Sequence, residues 1–368
     1  MEGENDGRKH TNTQTKMKAT RMMALMVLLM IGVAVPAKNF IQVKAGDSES
    51  LLAAIDEANR LNADSARVQW LFILIPNGTY DLGDRVLTTI TGHRVALIGQ
   101  SMRGTVIVNR PAVENEGIQK TATLRLMTSD TYLQDLTLKN ALDYYHAGAA
   151  GRAVALHDKG VRTICNRVCL LSYQDTFYSD NELSQMYLEG SEIHGTVDFI
   201  CGSGDVCFNG CTVVTEPRQL DGHGRNVIAA PRTANTAWGY VFLGCTIYNR
   251  QSEFQYARGW HTHPRCAWLN TTLMTPEKLK EPRFDPAGMR TVNSDFWEYH
   301  TTDAQGRDIT PQSNVVTFTL REESRAAETI MTKREAQRYE PKKIFPDWRP
   351  EKILDRLERK AAQLKRHL

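Results

Sequence analysis

The chain has 368 residues, 41% of them hydrophobic, with 45 basic and 42 acidic side chains and a formal net charge of +3. That length allows one large elongated domain or two ordinary ones. The charge is too small for a protein built to neutralise nucleic-acid phosphates, and much of the basic excess falls in the last twenty residues, which read as a solvated helix.

At the N-terminus, Lys18 and Arg21 precede an apolar run over 22–35, and Val35-Pro36-Ala37 offers a cleavage site. This is the pattern of an export signal, too short for a comfortable membrane span. Residues 1–37 are therefore assigned to an extension plus signal, with Met17 as the expected start. The mature protein is expected to be periplasmic or secreted, with no stable membrane insertion. An odd count of seven cysteines leaves at least one free thiol. Cys201, Cys207 and Cys211 lack the CxxC spacing of a zinc site, and Cys211 and Cys245 occupy matching places in a repeat, as buried hydrophobes would. A disulfide within 165–211 stays open.

After Ala37, residues 40–43 read as a strand and 48–60 as an amphipathic helix, with Ser48 as N-cap and Leu51, Leu52, Ile55 and Ala58 on one face. Residues 70–75 form a buried strand ended by Pro76-Asn77-Gly78. A loose repeat follows, starting at Leu133, Leu188, Phe208, Phe242 and Trp268. Each copy is a short strand with a small or polar residue at its middle and an aliphatic end. Unequal insertions between constant strands point to a parallel β-helix. A β-sandwich would carry more two-residue hairpin signals. Near the end, 323–339 reads as a helix, 345–350 as a turn and 351–368 as a basic amphipathic helix. Its stripe of Ile353, Leu354, Leu357, Ala361 and Leu364 is expected to pack on its own domain.

Polar groups recur at coil-like spacing. Arg152 and Gln174 are 174 − 152 = 22 residues apart, and Asp175 and Asp198 are 198 − 175 = 23 apart. In stacked parallel strands, residues one coil apart sit roughly 4.8 Å apart. Two carboxylates that close do not both ionise cheaply, so one should hold a proton near neutral pH. Asp175 alone would be an ordinary turn former. Asp198 lies inside an apolar stretch, where an unpaired carboxylate is costly. Arg258 is placed to hold Asp198 ionised and Trp260 to stack on a sugar ring.

These residues resemble the pectin methylesterase (pectinesterase) family. The resemblance rests on Arg152-Ala153-Val154-Ala155-Leu156, Gln174-Asp175-Thr176-Phe177-Tyr178, Gly195-Thr196-Val197-Asp198-Phe199-Ile200 followed by Cys201-Gly202, and Tyr256-Ala257-Arg258-Gly259-Trp260. Weaker matches at Pro76-Asn77-Gly78-Thr79-Tyr80, Phe296-Trp297-Glu298-Tyr299 and Trp348-Arg349-Pro350 extend it over about 38–350. It implies an all-β fold, a right-handed single-stranded parallel β-helix with short N- and C-terminal helices, and a catalytic domain over 38–350. It implies a monomeric ester hydrolase that releases methanol from pectin or another methyl-esterified polyuronide, with no metal or other cofactor. Asp198 matches the nucleophile that forms an acyl-enzyme, Asp175 the general acid/base, Gln174 an oxyanion donor and Arg258 the residue that orients the nucleophile. Trp260, Arg152, Phe199 and Tyr178 are expected on the substrate.

Three positions depart from the family pattern. Arg152 stands where the family has a second amide donor. It is able to donate to an oxyanion, to pair with Asp175 or Asp198 and lower its pKa, or to grip a free carboxylate on a neighbouring sugar. Gly259 replaces proline and Cys201 an aromatic residue, which implies a subsite of altered shape. Paired carboxylates about 5 Å apart also suit retaining glycoside hydrolysis, which would yield reducing ends. A lyase would want a calcium-binding acid cluster, which is missing around Asp198. A decayed site would bind uronides without turnover.

Overall fold

The computed structural model describes residues 39–148, 151–233 and 236–368. The expected export segment and start lie outside these residues. Among the described residues no helix is long and apolar enough to cross a membrane.

Successive coils pair in parallel and build a 17-stranded and a seven-stranded sheet. The chain is a parallel β-helix, right-handed as parallel crossovers are. The larger sheet explains the repeat. The small or polar middle residue is a corner: the copies at Leu188, Phe208, Phe242 and Trp268 are two strands joined there, and the copy at Leu133 lies in one long strand, Thr131–Asn140. Asp135, Arg167, Gly190, Gly210, Gly244, Asn270 and His300 all have φ between 50° and 58°, and the register stacks them one per coil. A left-handed residue turns the chain without breaking the ladder, and Gly, Asn and Asp tolerate it best. The corner amide then bonds the next coil, as in Gly210 N–H to Leu243 O at 2.8 Å and Gly244 N–H to Leu269 O at 2.9 Å.

Inside the coil, each position of the repeat meets its copy. Leu133, Cys165, Leu188, Phe208, Phe242 and Trp268 stand above one another. The Phe242 and Trp268 rings stack at 3.7 Å and 1°, and Phe208 and Phe242 at 4.4 Å and 6°. Each such fully buried ring stabilises by roughly 1.5–3 kcal/mol. All seven cysteines are buried and free, so the disulfide left open within 165–211 does not form.

Helix α1 (Ser48–Leu61) packs its face of Leu51, Leu52, Ala54, Ile55 and Ala58 against the first coil. Its N-cap is Asp47 rather than the expected Ser48, and the Asp47 carboxylate accepts from Ser50 N–H. At the other end the expected helix over 323–339 is mostly absent. Val315–Leu320 and Glu323–Glu328 form an antiparallel hairpin, and only Lys333–Ala336 is helical there. The Ala and Glu residues favour a helix locally, but an adjacent strand with alternating burial offers a full ladder. Helix α2 (Pro350–Leu364) buries Leu354, Leu357, Ala361 and Leu364 on the outer face of the larger sheet, beside Tyr132, Ile164 and Tyr187. Arg167 to Glu358 (2.5 Å) and Lys365 to Asp135 (2.6 Å) tie it to the corner ladder. Phe40–Leu368 forms one compact unit.

Candidate active site

The seven-stranded sheet runs in chain order: β1 (Thr88–Ile90), β2 (Leu124–Leu126), β3 (Leu156–Asp158), β4 (Phe177–Ser179), β5 (Val197–Gly202), β6 (Arg225–Pro231) and β7 (Glu253–Ala257). β4 pairs with β5 from Phe177↔Ile200 to Ser179↔Gly202, a constant offset of 23 that sets Asp175 beside Asp198. Arg152 and Gln174 pair as an isolated parallel bridge. The turn that carries Gln174 and Asp175 is pinned at both ends: Thr196 N–H donates to Tyr173 O (2.8 Å) and Thr176 Oγ1 to His194 O (2.7 Å).

A bulge aims Asp198. Between β5 and β6 the register jumps from Val197↔Val227 to Ile200↔Ala229, so two residues of β5 face one of β6. Asp198 takes φ 52° within it, and Asp175 takes φ 59° one coil away. Positive φ is uncommon for non-glycine residues and clusters at functional sites. The bulge sends Asp198 outward and leaves both Phe199 and Ile200 inside the core.

Asp175 and Asp198 line a cavity of about 250 Å³ with Arg152, Gln174, Arg258, Trp260, Cys201, Ile118, Ala230 and Met289. Two larger open grooves, of about 490 and 800 Å³, lie around His194 and Arg250 and include neither aspartate. Arg258 grips Asp198 with a fork, Nε donating to Oδ1 at 2.8 Å and Nη2 donating to Oδ2. Burial raises the Asp198 pKa and the arginine pulls against that rise. Asp175 has no such fork. Burial first, and the charge of Asp198 second, hold its carboxyl well above the usual range, with Arg152 and Arg258 offsetting only part. The pair is therefore asymmetric: the paired acid is the better carboxylate and the other the better proton holder. Among the described residues, the Gln174 carboxamide has no side-chain partner, which leaves its N–H groups free for the cavity.

Other expected residues fall elsewhere. Phe199 is a correction: it is fully buried in the coil core and out of reach of a ligand. Tyr178 is also buried, so it does not face the cavity directly. Its hydroxyl donates to Asp180 (2.7 Å), and its ring lies 6.3 Å from that of Trp260. Trp260 is partly exposed, with the Arg232 guanidinium 5.1 Å from its ring centre, an arrangement that orients the ring. Arg152 pairs with neither aspartate. Its Nη2 donates to Glu116 at 2.6 Å and its Nε to the same carboxylate at 2.8 Å. A Cβ at Gly259 would lie 2.4 Å from Ser294 Oγ, so the backbone there is hemmed in. The Cys201 thiol faces Asp175 Oδ1 at 3.9 Å and Phe177 O at 3.5 Å, and burial pushes its pKa well up.

Glu116, Ile118, Ala230 and Met289 carried no signal in the sequence, because each comes from a loop or strand without a repeated motif. A second polar cluster went unread too. Cys169, Glu192 and His194 converge within 4.8 Å. The cluster is internally paired: Arg103 donates to Cys169 Sγ and Glu192, and Glu192 and Glu216 take the two ring nitrogens of His194.

Comparison with known proteins gives a consistent answer. The pectinesterase family profile matches residues 41–344. A putative pectinesterase 11 from Arabidopsis thaliana is 29% identical over 201 residues, 54% of this chain and 52% of the relative. Pectinesterase A from Dickeya dadantii (strain 3937) is 26% identical over 309 residues, 76% of this chain and 83% of the relative. The chain spans about half the length of the first of these relatives. In fold, it is similar to a pectin methylesterase from Erwinia chrysanthemi, with a TM-score of 0.61 and 23% identity, over 80% of this chain and 93% of that one. With most of its length matched by the family profile, the chain belongs to the pectinesterase family.

Proposed function

We propose that the chain removes methyl esters from galacturonate units of pectin and releases methanol. The observation that carries this reading is the asymmetric aspartate pair in one cavity, with Asp198 forked by Arg258 and the carboxyl of Asp175 beside it, unforked and pushed well above the usual carboxylate range by burial and by the charge of Asp198. Asp198 attacks the C6 carbonyl and forms a tetrahedral intermediate whose oxyanion accepts from Gln174. The intermediate collapses to an acyl-enzyme as the C–OCH₃ bond breaks and Asp175 gives its proton to the departing methoxide. Asp175, now a carboxylate, takes a proton from water as that water attacks the acyl carbon. Asp198 leaves as a carboxylate, and the uronate is released. Trp260 offers a face to a sugar ring. A solved pectin methylesterase of similar fold is held in complex with a hexasaccharide, which fits an extended sugar polymer as ligand here. We further propose that residues 1–37 direct export, on their pattern of basic residues followed by an apolar run and small residues.

The test is methanol release from highly methylated pectin by wild type and Asp198→Ala. Release that vanishes in the variant is the expected result. Reducing ends in place of methanol would move the site to glycosidic cleavage, and no product from wild type would reject the esterase reading.

A further inference from the structure

The Arg152 guanidinium is the one cation of the cavity that does not serve an aspartate. Glu116 follows a single 3-10 turn (Val113–Asn115) and meets Arg152 three times. Its Oε2 accepts from the Arg152 backbone N–H (3.1 Å) and from Nε (2.8 Å), and its Oε1 accepts from Nη2 (2.6 Å). The same segment is tied back to the strand, with Gly117 N–H donating to Arg152 O at 3.2 Å. Thr121 Oγ1 donates to Gly117 O at 3.0 Å and accepts from Val154 N–H at 3.2 Å. This grip uses one edge of the guanidinium. Both Nη1 hydrogens and one on Nη2 are left over, and Arg152 lines the cavity beside Gln174, its parallel-bridge partner.

We propose that Glu116 is a positioning residue that holds Arg152 as a charged hydrogen-bond donor to the reacting carbonyl, alongside Gln174. This rests on the esterase reading above. A planar fork fixed along one edge has its other edge fixed in direction, which a long exposed arginine otherwise lacks. The carboxylate has a second effect. An uncompensated guanidinium beside Asp175 would draw its proton off. Asp175 is faced by Asp198, Arg152, Arg258, Glu116 and Cys201, and the Glu116 charge opposes that of Arg152. Glu116 thus cancels part of the pull that a cation at the carbonyl exerts on the proton of the acid next to it.

The experiment is a double-mutant cycle on methanol release with Glu116→Ala, Arg152→Gln and both together, each checked for a cooperative thermal transition. In the wild-type background Glu116→Ala is expected to lower kcat by roughly tenfold or more, short of the roughly 10²–10³-fold lost with an entire oxyanion donor, and to change KM by less than about threefold. Its alkaline pH limb should move down. In the Arg152→Gln background the same change should leave kcat within about twofold. Arg152→Lys, which keeps the charge and loses the fork, should resemble Glu116→Ala in kcat. An equal loss in both backgrounds, an unmoved alkaline limb or a gain in kcat would overturn the proposal while leaving the esterase reading intact. A wild type that releases no methanol would overturn both.

Discussion

Removing the Arg258 guanidinium is the most direct test of how the site divides labour between its acids. Asp198 is 6% exposed, and its carboxylate is held by Nε at 2.8 Å and by Nη2 of one arginine. Taking one partner from such a pair costs about 3–5 kcal/mol if the orphan stays charged. Asp198 escapes that cost by binding a proton, so at neutral pH the fold loses less and the nucleophile loses its charge. If 3–5 kcal/mol is instead read as lost transition-state stabilisation, it corresponds to roughly 10²–10⁴ in kcat. Arg258→Ala is therefore expected to be about a thousandfold slower, and Arg258→Lys, which keeps the charge without the fork, about ten- to a hundredfold slower. The sign on pH follows. In the proposed mechanism Asp198 works ionised, so activity should fall as pH drops through its pKa. Arg258 now pulls that pKa down against burial, and its loss moves the acid limb to higher pH. Methanol release measured from about pH 4 to 9, with thermal unfolding in parallel, gives both quantities. An Arg258→Ala enzyme within threefold of wild type, with its acid limb unmoved, would refute the reasoning.

Asp175→Asn should be inactive yet more stable. The folded pKa of Asp175 is raised, so its contribution is full below the unfolded value and is lost as pH rises through the folded one. Calorimetry should show the Tm advantage of the variant growing as pH rises above the ordinary carboxylate range, and a constant or negative difference would count against the buried proton. Phe199→Ala should cost about 3–5 kcal/mol in denaturant unfolding, whereas Trp260→Ala should raise KM severalfold with little change in unfolding. The reverse pattern would put Phe199 on the ligand. Gly202 has φ 116°, and a Cβ there would lie 1.9 Å from Ser179 O. Gly202→Ala should destabilise by about 2–4 kcal/mol, and a variant of wild-type stability would show that β4 and β5 separate easily.

The coil was legible because its period is written in side chains. Phe208, Phe242 and Trp268 must be large and apolar to fill the same interior layer, and Gly210, Gly244 and Asn270 must tolerate a left-handed corner. The apparent strand centre was a corner all the same, because a small residue between apolar ones looks alike in both settings. Asp175 and Asp198 were legible from one subtraction, since parallel register turns 23 residues into one strand spacing. Phe199 misled for the opposite reason. Adjacency to Asp198 in the chain suggests a shared place on the ligand, whereas strand alternation turns Phe199 to the opposite face, and the bulge against β6 keeps Ile200 inside as well. The hairpin at Val315–Leu320 and Glu323–Glu328 was hidden by helix-favouring residues whose conformation is set by a partner strand. Glu116 was invisible in principle: a loop carboxylate 36 residues from Arg152 has no period that would reveal the meeting.

Two aspartates of the same chemistry, on neighbouring coils and both in left-handed backbone, would by themselves share one proton without preference. What separates their roles is the placement of two arginines. Arg258 follows the end of β7, two coils beyond the strand β5 that carries Asp198, and its fork stabilises the charged form there. Arg152 arrives one coil before Asp175 and is engaged by Glu116, so its charge reaches Asp175 partly cancelled. A fork to Asp175 in its place would have produced two carboxylates, a site able to bind a cation but unable to protonate a leaving methoxide. In the proposed mechanism the acid role of Asp175 thus draws first on burial and on Asp198 beside it, and the loop residue Glu116 adds to these by opposing the charge of Arg152.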